Sequence, residues 1–191
     1  MESSGTSQER DVRELFEELC GEIARHAPIL CVSVLGASAT VVFGDWLELR
    51  LRPGYYGVFA KGGGLVGSSD KSPFPMTRRN IAMVCGHALA EGGGGQEGEA
   101  GRKKTELALG FIHACIELDI PQWSFNGRCA TIGWGKSRMA HILGGSTDLR
   151  RGGEPGRLDF TLDDLGGGRC GETIRRIMAE AEEVLPEAMR H

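Results

Sequence analysis

Apolar residues recur at helical spacing near both ends of the chain. Over residues 9–25 this spacing places the apolar side chains on one side of a helix, so we predict an N-terminal helix within residues 1–26. Its apolar positions are Val12, Leu15, Phe16, Leu19, Cys20 and Ile23. The same type of pattern predicts a closing helix over residues 172–190. Its apolar positions are Ile174, Ile177, Met178, Ala181, Val184 and Leu185.

Between these helices, β-branched and alternating runs predict strands. Residues 45–52 alternate apolar with polar side chains at period two, which is typical of a strand with one buried face. We predict a β core formed by residues 29–66 and 106–164, with strand-like patterns over residues 106–120 and 129–143. We predict that residues 67–105 form an insertion that contains a short helix over residues 76–91 and a glycine-rich linker. The whole chain of 191 residues is expected to form one mostly β domain with a helix at each end.

Composition narrows the function classes. A net charge of -4 argues against a general nucleic-acid or anionic-membrane binder, since such proteins need an excess of Lys and Arg. No apolar run approaches the ~20 residues of a membrane span, and the polar N-terminus has no signal-peptide core. The six cysteines are scattered, which favours free thiols in a reducing compartment. We therefore expect an intracellular protein of the cytoplasm, the nucleus or both, and not a secreted one.

Four segments resemble sequence motifs of the dUTPases, in the order in which that family carries them. Residues 51–65, LRPGYYGVFAKGGGL, resemble the family pattern LPPGYYGRIAPRSGL. Residues 110–120, GFIHACIELDI, are similar to GVIDADYRGEI, and residues 123–126, WSFN, are similar to the VLFN that follows it. Residues 136–143, KSRMAHIL, are similar to GDRIAQLI. Residues 168–173, GRCGET, resemble the C-terminal arm GGFGST.

The resemblance covers residues 45–66 and 108–173, and on it the chain is identified as a degenerate member of the dUTPase superfamily. It implies a dUTPase-like β-barrel or jelly-roll core. The family's trimers imply a homo-oligomer, although a helix after Thr173 puts exchange of the C-terminal arm in doubt. DUTPase relatives that lost catalysis and gained contacts with host proteins occur in large DNA viruses of the adenovirus and herpesvirus type. The resemblance therefore implies a viral accessory protein.

The catalytic positions that the resemblance implies are substituted. Hydrolysis of dUTP between its α and β phosphates needs a water, a carboxylate that activates it, and Mg²⁺. The family's water-activating Asp falls at His113, and the Tyr that packs under the deoxyribose falls at Ile116. On a strand, residues 113, 115, 117 and 119 would share one face, with Asp119 about 20 Å from His113 and too far to replace the lost carboxylate. The resemblance thus implies that the usual catalysis is lost.

The nucleotide-binding positions are also substituted and form a vestigial loop. The phosphate-binding Arg and Ser fall at Gly62 and Gly63, in a glycine run that ends at Gly64. The Gln of the fourth motif falls at His141, and the Phe that covers uracil falls at Cys170. Only backbone N–H groups of the glycine run could hold a phosphate.

A zinc site is an alternative reading of four other positions. Cys85 with His87, and His113 with Cys115, form a C-x-H and H-x-C pair. These four ligands would converge if both segments were adjacent strands. Buried cysteines and surface histidines are the favoured interpretation, because residues 81–90 have a helical pattern.

The three tryptophans, Trp46, Trp123 and Trp134, could form a stacking surface for a ligand. Large aromatic residues at strand positions more often belong to the core. We therefore predict that all three are core residues.

The expected function is that of a catalytically inactive dUTPase-like viral accessory protein, a scaffold for host or viral proteins that needs no cofactor. Residues 67–105 and the terminal helices are the expected binding surfaces, because insertions on a rigid scaffold readily acquire contacts. One alternative is a divergent dUTP diphosphatase that uses His113 and Mg²⁺. A second alternative is an α+β chaperone or adaptor unrelated to dUTPases.

Overall fold

The chain forms two compact units, the first reaching Leu109 and the second beginning at Gly110. A computed structural model describes residues 4–70, 77–92, 98–135, 137–151 and 154–184. Within this described part, ten strands and four α-helices are found. Each unit contains five consecutive strands between helices.

Unit 1 is a helix, a five-stranded meander and a second helix. Its elements are α1 (Ser4–Ile23), β1 (Ile29–Leu35), β2 (Ser38–Phe43), β3 (Leu47–Arg52), β4 (Tyr55–Phe59), β5 (Leu65–Ser68) and α2 (Arg78–Gly92). The strands pair antiparallel in chain order, from β1 with β2 to β4 with β5. Helix α3 (Glu99–Glu117) follows and contains the boundary between the units.

One face of the unit 1 meander is covered by both of its helices. Val41, Leu49 and Val58 are cross-strand neighbours and are fully buried. Gly67 continues this row on β5, and a Cβ atom placed there would lie 2.8 Å from Cγ1 of Val84 on α2. The absence of a side chain at Gly67 therefore lets α2 approach the sheet closely. Helix α1 packs on β2 and β3 of the same sheet and against α2.

Unit 2 repeats this order of elements. It contains the C-terminal part of α3, then β6 (Gln122–Phe125), β7 (Ala130–Trp134), β8 (Arg138–Ile142), β9 (Thr147–Arg151), β10 (Glu154–Leu158), a 3-10 helix (Leu162–Leu165) and α4 (Cys170–Val184). The strands again pair antiparallel in chain order. Apart from the 3-10 helix, the same order of elements therefore occurs twice in the described part of the chain.

The core of unit 2 is centred on aromatic side chains. The Phe111 ring of α3 meets the Trp123 ring edge to face, with centroids 5.9 Å apart, and lies 6.0 Å from the Phe125 ring. All three side chains are buried, as are Ile174 and Ile177 of α4. The apolar stripe that predicted the closing helix is thus its core face.

Several predictions from sequence are confirmed. The chain is rich in antiparallel strands, and helices lie at both ends of its described part. The strand predicted over residues 45–52 is β3, and the short helix predicted over residues 76–91 is α2. None of the described helices combines the length and the apolar character that crossing a bilayer would require.

The strand predicted over residues 106–120 is wrong, because this segment belongs to α3. Ala108, Phe111, Ile112 and Cys115 are all buried, and their spacing of three and four residues is that of a helix. The strand pairing also differs from the jelly roll that the resemblance implied. A jelly roll is built from Greek keys, whereas each unit here pairs its strands in chain order.

Candidate functional site

The glycine run expected to hold a phosphate forms the tight turn between β4 and β5. Gly62 and Gly63 have φ values of 91° and 86°, which glycine adopts at little cost. The N–H of Gly63 donates to the carbonyl of Ala60 at 3.0 Å, and the N–H of Ala60 donates to the carbonyl of Gly64 at 2.7 Å. The Gly63 N–H therefore serves the turn itself and is not directed at a ligand.

His113 and Ile116 lie on helix α3, so the prediction that residues 113, 115, 117 and 119 share a strand face is wrong. His113 is exposed, and its Nε2 lies 3.9 Å from a carboxylate oxygen of Glu117, one helical turn away. Glu117 in turn accepts a hydrogen bond from Arg175 of α4 at 2.9 Å. The Glu117–Arg175 contact is a surface ion pair between α3 and α4.

The remaining predicted nucleotide positions, His141 and Cys170, lie on different elements. His141 is on β8, and its Nδ1 is 3.1 Å from the Thr131 hydroxyl on the neighbouring strand. Cys170 is the first residue of α4 and is buried, and burial raises the pKa of its thiol to about 12. The segment compared with the dUTPase arm thus begins a core helix.

The four candidate zinc ligands lie on helices and not on strands. Cys85 and His87 lie on α2, and His113 and Cys115 lie on α3. Residues two apart on a helix point to different sides, so both cysteines are buried and both histidines are exposed. No group of three metal-binding side chains occurs among the described residues. The adjacent strands that the zinc interpretation required are therefore not formed by these two segments.

The buried thiols belong to the helix cores. Burial raises the pKa of the Cys20 thiol well above its usual value, and the nearby Cys85 thiol of α2 adds to this effect. In unit 2, burial likewise raises the pKa of Cys115, with a further contribution from Cys170. Each unit therefore places one cysteine of each helix in its interior, where the thiolate that would act as a nucleophile is disfavoured.

A groove between α1 and α2 is the feature of unit 1 that sequence reasoning missed. It encloses a cavity of about 370 Å³. The α1 side and the turn after it contribute Glu22, Ile23 and His26. The residues that line the cavity on the α2 side are Ala82, Cys85, Gly86, Leu89 and Ala90. This volume falls within the range of natural ligand and side-chain pockets.

Small residues on α2 keep this groove open. Ala82, Gly86 and Ala90 recur every four residues and so line one side of the helix. A Cβ atom placed on Gly86 would meet no atom within 4 Å. The space beside this turn of α2 is therefore open, and a larger side chain at position 86 would project into it.

The groove has an acidic wall. Glu14, Glu18 and Glu22 are spaced by four residues along α1, and Glu22 lines the cavity. Glu18 reaches Arg78 of α2 at 3.6 Å, and Glu22 pairs with Arg25 at 2.9 Å. Across residues 11–26 there are five carboxylates and two arginines, a balance of -3.

The hairpin between β2 and β3 borders the groove and carries an exposed tryptophan. A Cβ atom on Gly44 would lie 2.9 Å from Cδ2 of Leu89, which lines the cavity. Two residues later, Trp46 is 56% exposed and has a φ of 70°. The prediction that all three tryptophans are core residues holds for Trp123 and Trp134 but is wrong for Trp46. A bulky residue at positive φ costs backbone energy, which suggests a use for its side chain.

The face of the unit 1 meander away from the helices carries two cation–π pairs. The Arg50 guanidinium lies 4.5 Å from the centre of the Phe59 ring, and that of Arg52 lies 4.4 Å from the Tyr55 ring. The two rings flank Gly57, where a Cβ atom would lie 2.6 Å from the Tyr55 hydroxyl. These stacks fix the side chains of an exposed face by local contacts.

Comparisons with protein-family models, with curated proteins and with solved structures found no match for this chain. The resemblance to dUTPases therefore stays a prediction from sequence motifs.

Proposed function

We propose that this protein is a non-catalytic binding protein whose unit 1 recognises another protein. The supporting observation is the uneven exposure of large apolar side chains among the described residues. Five lie in unit 1 and one in unit 2: Leu35, Trp46, Leu65, Val66 and Met83, against Val184. Exposed large apolar side chains are candidates for contact with another protein, and unit 1 carries five of these six.

Trp46 is the strongest single contributor to this proposal. Its positive φ suits glycine or asparagine better than tryptophan, so the position is not optimised for folding. Tryptophan is also the residue type most often responsible for binding energy at protein interfaces. The hairpin that carries it borders the open groove between α1 and α2, which gives a partner both a protrusion and a recess.

This function corresponds to the interaction scaffold expected from sequence. The meander topology also supports the second alternative, an α+β chaperone or adaptor unrelated to dUTPases. A dUTPase origin, a viral source, a trimer and an intracellular location stay predictions of the sequence. The hydrolase alternative requires that the protein, in the presence of Mg²⁺, releases pyrophosphate from dUTP. It also requires that His113→Ala loses this activity. We expect no such release.

A capture experiment tests the proposal. Tagged full-length protein and its Trp46→Gly variant are incubated with lysate of the source cells, cross-linked and analysed by mass spectrometry. Because glycine accepts a φ of 70°, the variant is expected to fold, with the unfolding free energy within about 0.5 kcal/mol of wild type. We expect a specific partner to be captured by the wild type and lost from Trp46→Gly.

Val184→Ser is the matched control, since it removes an exposed apolar side chain from unit 2. It should retain the partner. Capture that persists in Trp46→Gly but fails in Val184→Ser would place recognition in unit 2 and contradict the proposal.

A further inference from the structure

We propose, on the basis of the binding function proposed above, that the groove between α1 and α2 binds a cationic amphipathic helix of the partner. One large apolar side chain of that helix would occupy the cavity, and its Lys or Arg residues would face α1. The proposal depends on the shape of the groove, its apolar floor and the charge of its wall.

The shape of the groove suits a helix. Small residues recur every four positions on its α2 side, at Ala82, Gly86 and Ala90. Such positions let another helix approach closely, because no long side chain stands between the two backbones. The open space at Gly86 lies in the middle of this row. An incoming helix can therefore pack along the groove and not only touch its rim.

The floor of the groove favours an apolar anchor. Cys85 is only 2% exposed, and burial raises the pKa of its thiol to about 12, so it is a neutral, apolar surface at physiological pH. Ile23 and Leu89 complete the apolar lining. An apolar side chain entering the cavity would exchange water for these groups, which is favourable.

The charge of the wall selects the sign of the partner. Glu22 lines the cavity, and Glu14 and Glu18 continue its row along α1. The segment 11–26 has a balance of -3, against two arginines, Arg78 and Arg79, at the start of α2. In the ion pairs of Glu18 with Arg78 and of Glu22 with Arg25, both arginines are more than half exposed, so a partner's Lys or Arg can displace them at little cost. An acidic helix would instead meet like charges. Electrostatic complementarity thus favours a basic helix.

The test uses two synthetic peptides of about 18 residues, long enough to form a helix on binding. One is an amphipathic peptide of Leu and Lys with a single Trp on its apolar face, and the other has every Lys replaced by Glu. Binding to full-length protein is measured by calorimetry, and the contacted residues are located by NMR shift changes. We expect the Leu/Lys peptide to bind at least about tenfold more tightly, with shifts centred on α1 and α2.

Gly86→Leu fills the groove, and Gly110→Leu is its matched control. Both glycines are exposed helix positions where a Cβ atom meets nothing within 4 Å, so both variants should fold, and leucine favours the helix at each. We expect Gly86→Leu to weaken binding of the Leu/Lys peptide by about tenfold. Gly110→Leu should leave the affinity within about twofold of wild type.

Equal binding of the Leu/Lys peptide to both variants would mean nonspecific attraction to an acidic surface and would overturn the proposal. Equal binding of the Leu/Glu peptide would show that charge does not select the ligand, and would also overturn it. If neither peptide binds while Trp46-dependent capture persists, the groove inference fails and the binding function stands.

Discussion

Units 1 and 2 have the same order of elements but differ in how closely their helices meet. In unit 2, a Cβ atom on Gly171 of α4 would lie 3.8 Å from Cβ of Ala114 on α3, which is ordinary contact. In unit 1, the corresponding space beside Gly86 of α2 is open, and a cavity separates the two helices there. The same scaffold can thus be closed or open, depending on the residues at the helix crossing.

The exposed side chains follow the same division. Unit 1 exposes Trp46 at one hairpin, whereas both tryptophans of unit 2, Trp123 and Trp134, are buried. This difference in exposure supports the proposal that the recognition surface belongs to unit 1.

The largest expected loss of stability comes from replacing a buried phenylalanine in the core of either unit. Phe16 and Phe111 are both fully buried, and each precedes a buried cysteine by four residues in the first helix of its unit. Replacing either by Ala should destabilise its own unit by about 3–5 kcal/mol, through lost burial and a cavity. Hydrogen exchange followed by mass spectrometry should show lost amide protection in unit 1 for Phe16→Ala and in unit 2 for Phe111→Ala.

As a control, chemical denaturation measures the unfolding free energy of both variants. Circular dichroism establishes that each variant is folded before exchange begins. Equal loss of protection throughout the chain in both variants would mean that the two units unfold together, which would break the comparison between them.

Periodicity made much of the fold predictable. The N-terminal helix, β3 and α2 were recognisable because their apolar side chains follow a single period over many residues. The segment 129–143 was likewise predicted as strands and contains β7 and β8. Local pattern is sufficient where one side of an element is buried and the other is not.

Other features depend on contacts that no local pattern contains. The first seven residues of α3 fall in the predicted insertion and the rest in a predicted strand, although Phe111, Ile112 and Cys115 have helical spacing. The exposure of Trp46 follows from its place in a hairpin and not from its residue type. The groove requires α1 and α2 to meet, and Glu22 and Gly86 are far apart in sequence. The groove and the exposure of Trp46 could therefore not be predicted from the sequence.

A smaller effect is expected from two buried threonines. In unit 1, the N–H of Ile29 donates to the Thr105 hydroxyl at 3.1 Å, and in unit 2 the Thr147 hydroxyl donates to the carbonyl of Phe160 at 2.8 Å. Thr105→Val should cost about 1–3 kcal/mol because it leaves a buried N–H unpaired. Thr147→Val should cost about 1 kcal/mol, since an unpaired carbonyl is better tolerated. Urea titration measures both, and a larger loss for Thr147→Val would contradict this ranking.

The smallest effect concerns a pH-dependent turn in unit 2. The backbone N–H of Thr161 donates to the Asp164 carboxylate at 2.8 Å and its hydroxyl donates at 2.9 Å, and these bonds lower the pKa of Asp164 below its usual 3.8. A lowered folded-state pKa contributes stability that is present above the unfolded value and is lost as pH falls through the folded value. The stability difference between wild type and Asp164→Asn should therefore be constant above about pH 5 and shrink below the usual pKa.

Thr161→Ala separates the two hydrogen bonds of this turn. It removes the hydroxyl but retains the backbone N–H, which is the larger cause of the lowered pKa. The pH dependence should then be reduced but not abolished when urea midpoints are compared across the acidic range. A Thr161→Ala profile identical to that of Asp164→Asn would mean that the hydroxyl, and not the backbone, holds the carboxylate. The Thr161–Asp164 turn that precedes α4 would then be held by a single side-chain hydrogen bond.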